Sequence, residues 1–287
     1  MISLREMLKK KEIIVAPGCH DPLSARIIET LGFEALYLGG MATGAILNIT
    51  EPLTTLTEII YHCKYITNAI NIPLIVDGDA CFGDATMATR TVKEFIKAGV
   101  SAIHIEDQVI PKRAYYHKVK IKLIPVEEML LKIKISCEVR DKENGDFVII
   151  ARTDAGRESG ESFDKAIERA NIYADSGADL LMTFPRNMEE IRRAPKEIKG
   201  DLVFVATQGL KRPIPNVDEL KELGYKIVVY PFSSVIVMNN SIKEMYSNLM
   251  KNGHTGITPV VAERTLNEVL NLTPLPQLYN IEDMLEK

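Results

Sequence analysis

Residues 74–84 read LIVDGDACFGD, an apolar run that ends in two acids one residue apart, Asp77 and Asp79. An ionised carboxylate buried without a partner is costly. A strand that finishes in two of them needs a compensating group: a cation, a set of hydrogen bonds, or water at the strand end. The run itself, PLIVDGD (73–79), has seven counterparts along the chain. They are EIIVAPG (12–18), EALYLGG (34–40), SAIHIED (101–107), FVIIARTD (147–154), ADLLMTF (178–184), LVFVATQ (202–208) and KIVVYPF (226–232). Segments of helical period lie between them. One is MATRTVKEFIKAG, with Val92, Phe95 and Ile96 on one face; another is ESFDKAIERANIYADSG, with Phe163, Ile167, Ala170 and Ala174. Both end in Gly, a common helix stop.

Near-continuous apolar strands read as parallel strands covered on both faces. Eight strand–helix units in 287 residues predict an α/β protein of the (β/α)8 TIM-barrel class. A doubly wound open sheet is the alternative, but no Gly-rich phosphate fingerprint follows the first strand. We read residues 1–287 as one barrel domain, with 233–287 as a C-terminal helical extension. Its segment ITPVVAERTLNEVLNL is amphipathic enough to pack on a partner or on its own barrel.

The remaining composition excludes several classes. Net charge is −4 with the signs interspersed, which is not the basic stripe of a nucleic-acid surface. No apolar run approaches the roughly 20 residues of a membrane span. The N-terminal MISLREMLKKKE reads as a short amphipathic helix and not as a signal peptide, so a cytoplasmic location is expected. The cysteines Cys19, Cys63, Cys81 and Cys137 are scattered and form no C-x-x-C pair, as expected of reduced thiols.

A barrel also predicts where the chemistry sits, at the C-terminal ends of its strands. Those ends carry Gly39-Gly40, Asp77-Gly78-Asp79, His104-Glu106-Asp107, Arg152-Asp154 and Thr207-Gln208. Strand side chains alternate, so Asp77 and Asp79 project to the same side, and Glu106 ends the next strand. Three converging acids repel one another unless a cation lies between them. Hard oxygen donors suit Mg2+ or Mn2+, with open positions for a chelating substrate. Arg152 beside them suits a small acid, because Arg pairs bidentately with carboxylate. Two other readings stay open: Asp77 and Asp79 cap the next helix and bind loop amides, and Arg152 forms an internal salt bridge with Asp154 or Glu106.

The stretches DGDACFG, GVSAIHIEDQVIPKR, FVIIARTDA, AIERANIYADSGAD and LGYKIVVYP together resemble the isocitrate lyase/phosphoenolpyruvate mutase superfamily. The resemblance runs from HDPLSARIIETLGFEALYLGG to LGYKIVVYPFSS. It is greatest to the branch of 2-methylisocitrate lyase, dimethylmalate lyase and carboxyphosphonoenolpyruvate mutase. It implies the barrel, a C-terminal helix swapped between subunits, and a homotetramer built as a dimer of dimers. It implies Mg2+, with Asp79 a direct or near-direct ligand and Asp77 and Glu106 acting through waters. The substrate would be a small carboxylate, either a 2-oxo acid or a 2-hydroxy acid that cleaves to one, and the intermediate an enolate chelated to the metal. Arg152 would hold a carboxylate or the enolate oxygen, and Gly39 and Gly40 would offer backbone amides in the manner of an oxyanion hole. Tyr37, Asp77 and Thr207 complete the implied substrate-binding set.

The departures from that pattern fall at the site. Lyases of this branch carry K-R-C-G-H on a mobile loop, with its Cys as proton donor; this chain reads KRAYYH, Lys112 to His117. Ala114 can neither give nor take a proton. A positioned acid is worth about 10²–10⁴-fold, so its loss would be felt; Tyr115, Tyr116 or His117 could substitute, and Tyr116 and His117 are the candidates for the acid. Lys112 would reach the site when the loop closes, and His104 would donate near Glu106. Glu51-Pro52 stands near the place of the family's Pro-Asp. Phe184 stands where the family has a glutamate, and Thr207 where it has an asparagine. Cys81 reads as a small packed residue. The expected function is a Mg2+-dependent carbon–carbon lyase, 2-methylisocitrate lyase-like, releasing pyruvate or a related 2-oxo acid. The alternatives are an oxaloacetate-type decarboxylase, a phosphonate mutase, and a binding protein for a 2-oxo acid.

Overall fold

The computed structural model describes residues 2–157, 160–209 and 211–286. The chain begins α1 Leu4–Lys10, β1 Ile14–Pro17, α2 Pro22–Thr30, β2 Leu36–Leu38, α3 Gly40–Ile46 and a 3₁₀ turn at Glu51–Leu53. It continues α4 Leu56–Thr67, β3 Leu74–Asp77, α5 Ala85–Lys97, β4 Ala102–Glu106, α6 Val126–Glu143, β5 Val148–Arg152, α7 Phe163–Ala174 and β6 Leu180–Met182. Then follow α8 Met188–Glu197, β7 Leu202–Val205, α9 Val217–Leu223, β8 Tyr225–Tyr230, α10 Ser233–Asn252, α11 Pro259–Leu272 and α12 Leu275–Leu285. Every one of the eight apolar runs contains a strand.

All eight strands are parallel and pair with their sequence neighbours, β1 with β8 and β8 back through to β2. The circle closes between β1 and β2 by a bridge from Gly18 to Tyr37, with the Cys19 N–H donating to the Tyr37 carbonyl at 3.0 Å. This is the (β/α)8 barrel the sequence predicts. Helix starts are capped by short polar side chains that accept the exposed amides: Ser3 for α1, Asp21 for α2, Thr55 for α4, Asp84 for α5 and Ser162 for α7.

The pleat divides the core into two layers. On β5, Val148 and Ile150 point into the barrel while Ile149 and Ala151 meet the helices. Ile75, Ala102, Leu180, Met182, Val203, Val205, Ile227 and Val229 join the inner layer, and Leu4 and Met7 of α1 pack against it. The outer layer holds the large side chains Phe95, Phe147, Tyr173, Phe204 and Tyr225, all buried. Burying such side chains is worth roughly 1.5–3 kcal/mol each before the entropy cost is set against it.

The chain forms two compact units, Met1–Ser233 and Ser234–Lys287. The second consists of the rest of α10 with α11 and α12, and carries exposed apolar side chains that include Tyr246, Met250, Leu266, Tyr279 and Leu285. Among the described residues no helix is long and apolar enough to cross a membrane.

At Gly18 the β1 and β8 backbones come so close that a Cβ would lie 2.3 Å from the Tyr230 carbonyl oxygen. Backbone cannot yield as a side-chain tip does. Gly18→Ala is therefore expected to cost about 2 kcal/mol or more. Urea unfolding measures this, and an unchanged midpoint would contradict the close approach.

Candidate active site

The inward stripes of the strands run straight on into the barrel mouth. Asp77 continues the line of Ile75, His104 and Glu106 that of Ala102, and Arg152 that of Val148 and Ile150. Register sets Asp77 beside His104 and Glu106 beside Arg152. Asp77, His104, Glu106 and Arg152 are all buried.

Lys112 supplies the compensating charge that the opening acids require. Its ammonium lies 2.8 Å from Glu51 Oε1, 3.2 Å from Asp77 Oδ2, 3.3 Å from Asp79 Oδ2 and 3.6 Å from Glu106 Oε1. Burial alone would favour its neutral form, but the four carboxylates hold the Lys112 ammonium well above its ordinary pKa. Arg152 supplies a second cation. Its Nη1 is 2.8 Å from Glu106 Oε2, and Nε and Nη2 each donate to Asp154 at 3.0 Å. Both internal salt bridges weighed for Arg152 are thus formed, and it still lines the cavity.

The helix-capping reading of the two acids is also resolved. Asp84, at the end of the same stretch, caps α5 by accepting from the Thr86 and Met87 amides. Asp77 Oδ1 accepts from the Asp79 N–H at 2.9 Å, and Asp79 Oδ1 from the Ala80 N–H at 2.7 Å. Backbone amides thus hold both acids, while Lys112 reaches both oxygens of Asp77, at 3.3 and 3.2 Å, and Oδ2 of Asp79. The strand ends at Asp77, so alternation does not aim Asp79. A left-handed backbone does, with φ +53° at Asp79, +64° at Cys81 and +53° at Phe82. Three non-glycine residues of one turn in that region store strain of the kind found at functional sites.

The arrangement fits a divalent cation. Asp77, His104 and Glu106 each offer a ligand atom, all within 4.8 Å of one another. The buried Glu106 carboxyl has ion-pair contacts to Arg152 and Lys112 but no aligned hydrogen bond, and His104 Nδ1 is buried without a hydrogen-bond partner. The Lys112 ammonium stands where a metal charge would neutralise the same acids. Burial would push the Asp77 carboxyl up, but the charges of Lys112 and Arg152 hold it well below the usual range. Burial pushes the Glu106 carboxyl well above that range, against the pull of Arg152 and Lys112. The expected ligand set had Asp79 where the geometry gathers His104. His104 is held neutral, its pKa lowered by burial to about 3. Its Nδ1 is 3.8 Å from Asp77 Oδ1, which favours a proton there, and Nε2, 2.7 Å from the Tyr37 hydroxyl, then accepts from it.

A cavity of about 590 Å³, its mouth included, opens beside this group. Tyr37, Gly39, Gly40, Asp77, Arg152 and Thr207 line it. Gly40 donates its N–H to Asp77 Oδ2 at 3.3 Å, and a Cβ there would come within 2.8 Å of both Asp77 and Glu51. His104 lies behind Tyr37, outside the lining. Asp79 and Lys112 line a small adjoining pocket with Gly40, Glu51 and Asp77. Of the loop, Arg113, Ala114 and Tyr115 face the cavity, whereas Tyr116 and His117 do not. Tyr116 donates to Glu51 Oε2 at 3.1 Å; His117 Nδ1 accepts from the Ala114 N–H at 2.8 Å. Thr207 Oγ1 accepts from Arg212 Nη2 at 3.2 Å. Cys81 is buried and its thiol is pushed up to about 12, as fits a packed residue.

Three groups have roles that the sequence did not assign. Gln108 links the loop to the β5 end: it bonds the Arg113 N–H and carbonyl at 2.7 and 3.0 Å, and also donates to Asp154. Asp107 braces the ends of β4 and β5, accepting from Thr153 Oγ1, the Asp154 N–H, Arg169 and Tyr173 at 2.7 to 2.9 Å. Arg157 enters the cavity from the loop after β5. No spacing rule marks any of them; the one signal was a polar residue near a strand end.

An eight-stranded parallel barrel with buried acids, a cation position and an arginine at its mouth defines a site for a small acid beside a divalent cation. The chain belongs to the phosphoenolpyruvate phosphomutase family, whose model it matches over residues 4–250. It is 39% identical to a 2-methylisocitrate lyase of Aeropyrum pernix over 87% of this chain and 80% of that one. It is 36% identical to a 2,3-dimethylmalate lyase of Eubacterium barkeri over 97% of this chain and 96% of that one. Among solved structures, oxaloacetate acetylhydrolase in complex with 3,3-difluorooxalacetate superposes with a TM-score of 0.88 at 28% identity, covering 99% of this chain and 96% of the other.

Two substitutions separate the possible ligand sets. Asp79→Ala is expected to abolish Mg2+-dependent binding of oxalate in calorimetry, while His104→Asn retains it, because a hard cation prefers oxygen. Unchanged oxalate affinity in the Asp79 variant would overturn the Asp79 assignment.

Proposed function

We propose that this protein is a Mg2+-dependent carbon–carbon lyase, 2-methylisocitrate lyase-like, that cleaves a small 2-hydroxy acid to pyruvate or a related 2-oxo acid. The observation that carries the reading is the ring of Glu51, Asp77, Asp79 and Glu106 around one cation position, with Arg152 on its cavity side. Similarity to lyases along nearly the whole chain supports the reaction class. We assign Mg2+ to Asp77, Asp79 and Glu106; bound there it would polarise the acid's adjacent oxygens.

The protein groups divide the remaining work. Arg152, clamped by Glu106 and Asp154, is oriented without further entropy cost and gives positive charge to the carboxylate and to the developing enolate. Gly40 lets the substrate approach backbone where any side chain would collide with Asp77 and Glu51. Cleavage needs an acid to protonate the leaving carbon. We assign this to Tyr116, whose hydroxyl donates to Glu51, a residue that does line the cavity. Burial and Glu51 push the Tyr116 hydroxyl up, so it keeps its proton until a strongly basic carbon takes it. His117 holds the loop through Ala114 and supports that placement.

One observation favours a second reading. Ala114 faces the cavity and carries no transferable proton. Decarboxylation of an oxaloacetate-type acid needs less from the loop, since loss of CO2 leaves the enolate directly. We also propose a cytoplasmic homotetramer, a dimer of dimers with a swapped C-terminal helix, for which the exposed apolar side chains of α10 to α12 provide contact surface.

NMR detection of products from 2-methylisocitrate, 2,3-dimethylmalate, isocitrate, oxaloacetate and phosphonopyruvate, with Mg2+ and then EDTA, tests the function. Metal-dependent pyruvate or another 2-oxo acid from a hydroxy acid is the expected result. Inert hydroxy acids with accelerated loss of oxaloacetate would select the decarboxylase. In the lyase case Tyr116→Phe should lower kcat by about 10²-fold or more, and an unchanged kcat would remove Tyr116 from the mechanism.

A further inference from the structure

We propose that Lys132 of α6 is a positioning residue for the cation site: its buried ammonium holds the Ala80 carbonyl and so fixes the turn that aims Asp79. The proposal rests on the assignment of the cation to Asp79 in the reading above. Lys132 breaks the pattern of its helix. The residues that α6 turns to the core include Met129, Lys132, Ile133, Ser136 and Cys137, the spacing of an inward helix face. A lysine commonly carries its ammonium out to water along its flexible stem. Here the side chain is 1% exposed. Its ammonium donates to the Ala80 carbonyl at 3.2 Å, and among the described residues it forms no ion pair. A charge buried without an acid beside it is costly. Packing alone does not account for it, since a methionine would fill similar space without that cost.

Ala80 is the link between Lys132 and Asp79. Its N–H donates to Asp79 Oδ1 at 2.7 Å, and its carbonyl accepts from Lys132. The residues on either side of it, Asp79 and Cys81, both have left-handed backbone. Non-glycine residues stay in that region only where the surrounding contacts fix them there. Two contacts hold the turn at its edges. The Glu106 N–H donates to the Asp79 carbonyl at 3.1 Å, and Thr91 Oγ1 donates to the Cys81 carbonyl at 2.9 Å. Lys132 holds the carbonyl between them, and a charged donor makes the stronger hydrogen bond. A short chain of contacts therefore starts on the outer side of the barrel, at α6, and ends on the carboxylate that faces Lys112.

The sign of its effect on metal affinity separates positioning from plain charge. An ammonium near a cation site repels the cation, so its removal tightens metal binding if charge is all that it contributes. Removal of a group that holds a ligand in place does the opposite. The turn relaxes, the Asp79 carboxylate is no longer pre-set, and the cation binds more weakly. A packing role alone changes stability and leaves metal affinity where it was.

Titration of the full chain with Mn2+, followed by electron paramagnetic resonance, tests this, and metal-free thermal unfolding verifies that each variant is folded. Lys132→Met is expected to weaken Mn2+ binding by about tenfold or more. Lys132→Arg keeps a charged donor and is expected to stay nearer to wild type. In an Asp79→Ala background, Lys132→Met should lower the residual Mn2+ affinity no further, because the residue through which it acts is gone. Unchanged or tighter Mn2+ binding by Lys132→Met, or an equal loss in the Asp79→Ala background, would overturn the proposal. Should Lys132→Met not fold, Lys132→Gln, polar and uncharged, carries the same test with the same two outcomes. Wild-type Mn2+ affinity in Asp79→Ala alone would instead overturn the ligand assignment on which the proposal rests.

Discussion

Four carboxylates sharing one buried cation position is the constraint on which the rest of this structure depends. Glu51, Asp77, Asp79 and Glu106 come from the 3₁₀ turn after α3, the end of β3, the turn beyond it and the end of β4. Drawn together without compensation they would repel and drive protons onto one another. Lys112 and Arg152 offset this, one from a loop and one from β5. A buried ion cluster of this kind is weak evidence for stability, because desolvation consumes much of the attraction. It is better explained by function. The cluster keeps acids close enough to bind a divalent ion, and burial pushes the Glu106 carboxyl up even beside Arg152.

The barrel makes such a cluster affordable. Its inner layer of Val, Ile and Leu is rigid, and the pleat carries each inward stripe to the mouth without a break. Outside the cavity the same device repeats: Asp107 gathers Thr153, Asp154, Arg169 and Tyr173, tying β4 and β5 to α7. Gln108 couples that brace to the loop bearing Lys112, Tyr115 and Tyr116. Loop conformation and Arg152 placement are thus connected through Asp154, in a short chain of contacts.

Much of this was legible in the sequence. Eight apolar runs of strand length in alternation with helical segments define the barrel, because parallel strands buried on both faces need them. Asp77, Glu106 and Arg152 were readable as a group because strand ends share one mouth. The sorting of three aspartates within Leu74–Asp84 was not readable. Asp84 caps a helix, Asp77 ends a strand, and Asp79 is turned inward by a left-handed backbone that no periodicity reports. Lys112 was assigned to a closing loop, yet how deeply its ammonium enters depends on long-range packing. His104 looked like a group at the site; burial places it one residue back, acting on Tyr37. Arg157 had no signature, because its position comes from Phe184, a residue legible at first as a lost glutamate.

The measurement that tests the account most directly is electron paramagnetic resonance of Mn2+ bound to the protein, with and without ¹⁷O-labelled oxalate. The account predicts one tight Mn2+ per chain, displaced by Mg2+, lost with Glu106→Gln, and broadened by the labelled acid as oxalate oxygens enter the metal's coordination sphere. Mn2+ that binds without saturation at one per chain, or lines that the label leaves unchanged, would contradict a metal site built to hold a small acid.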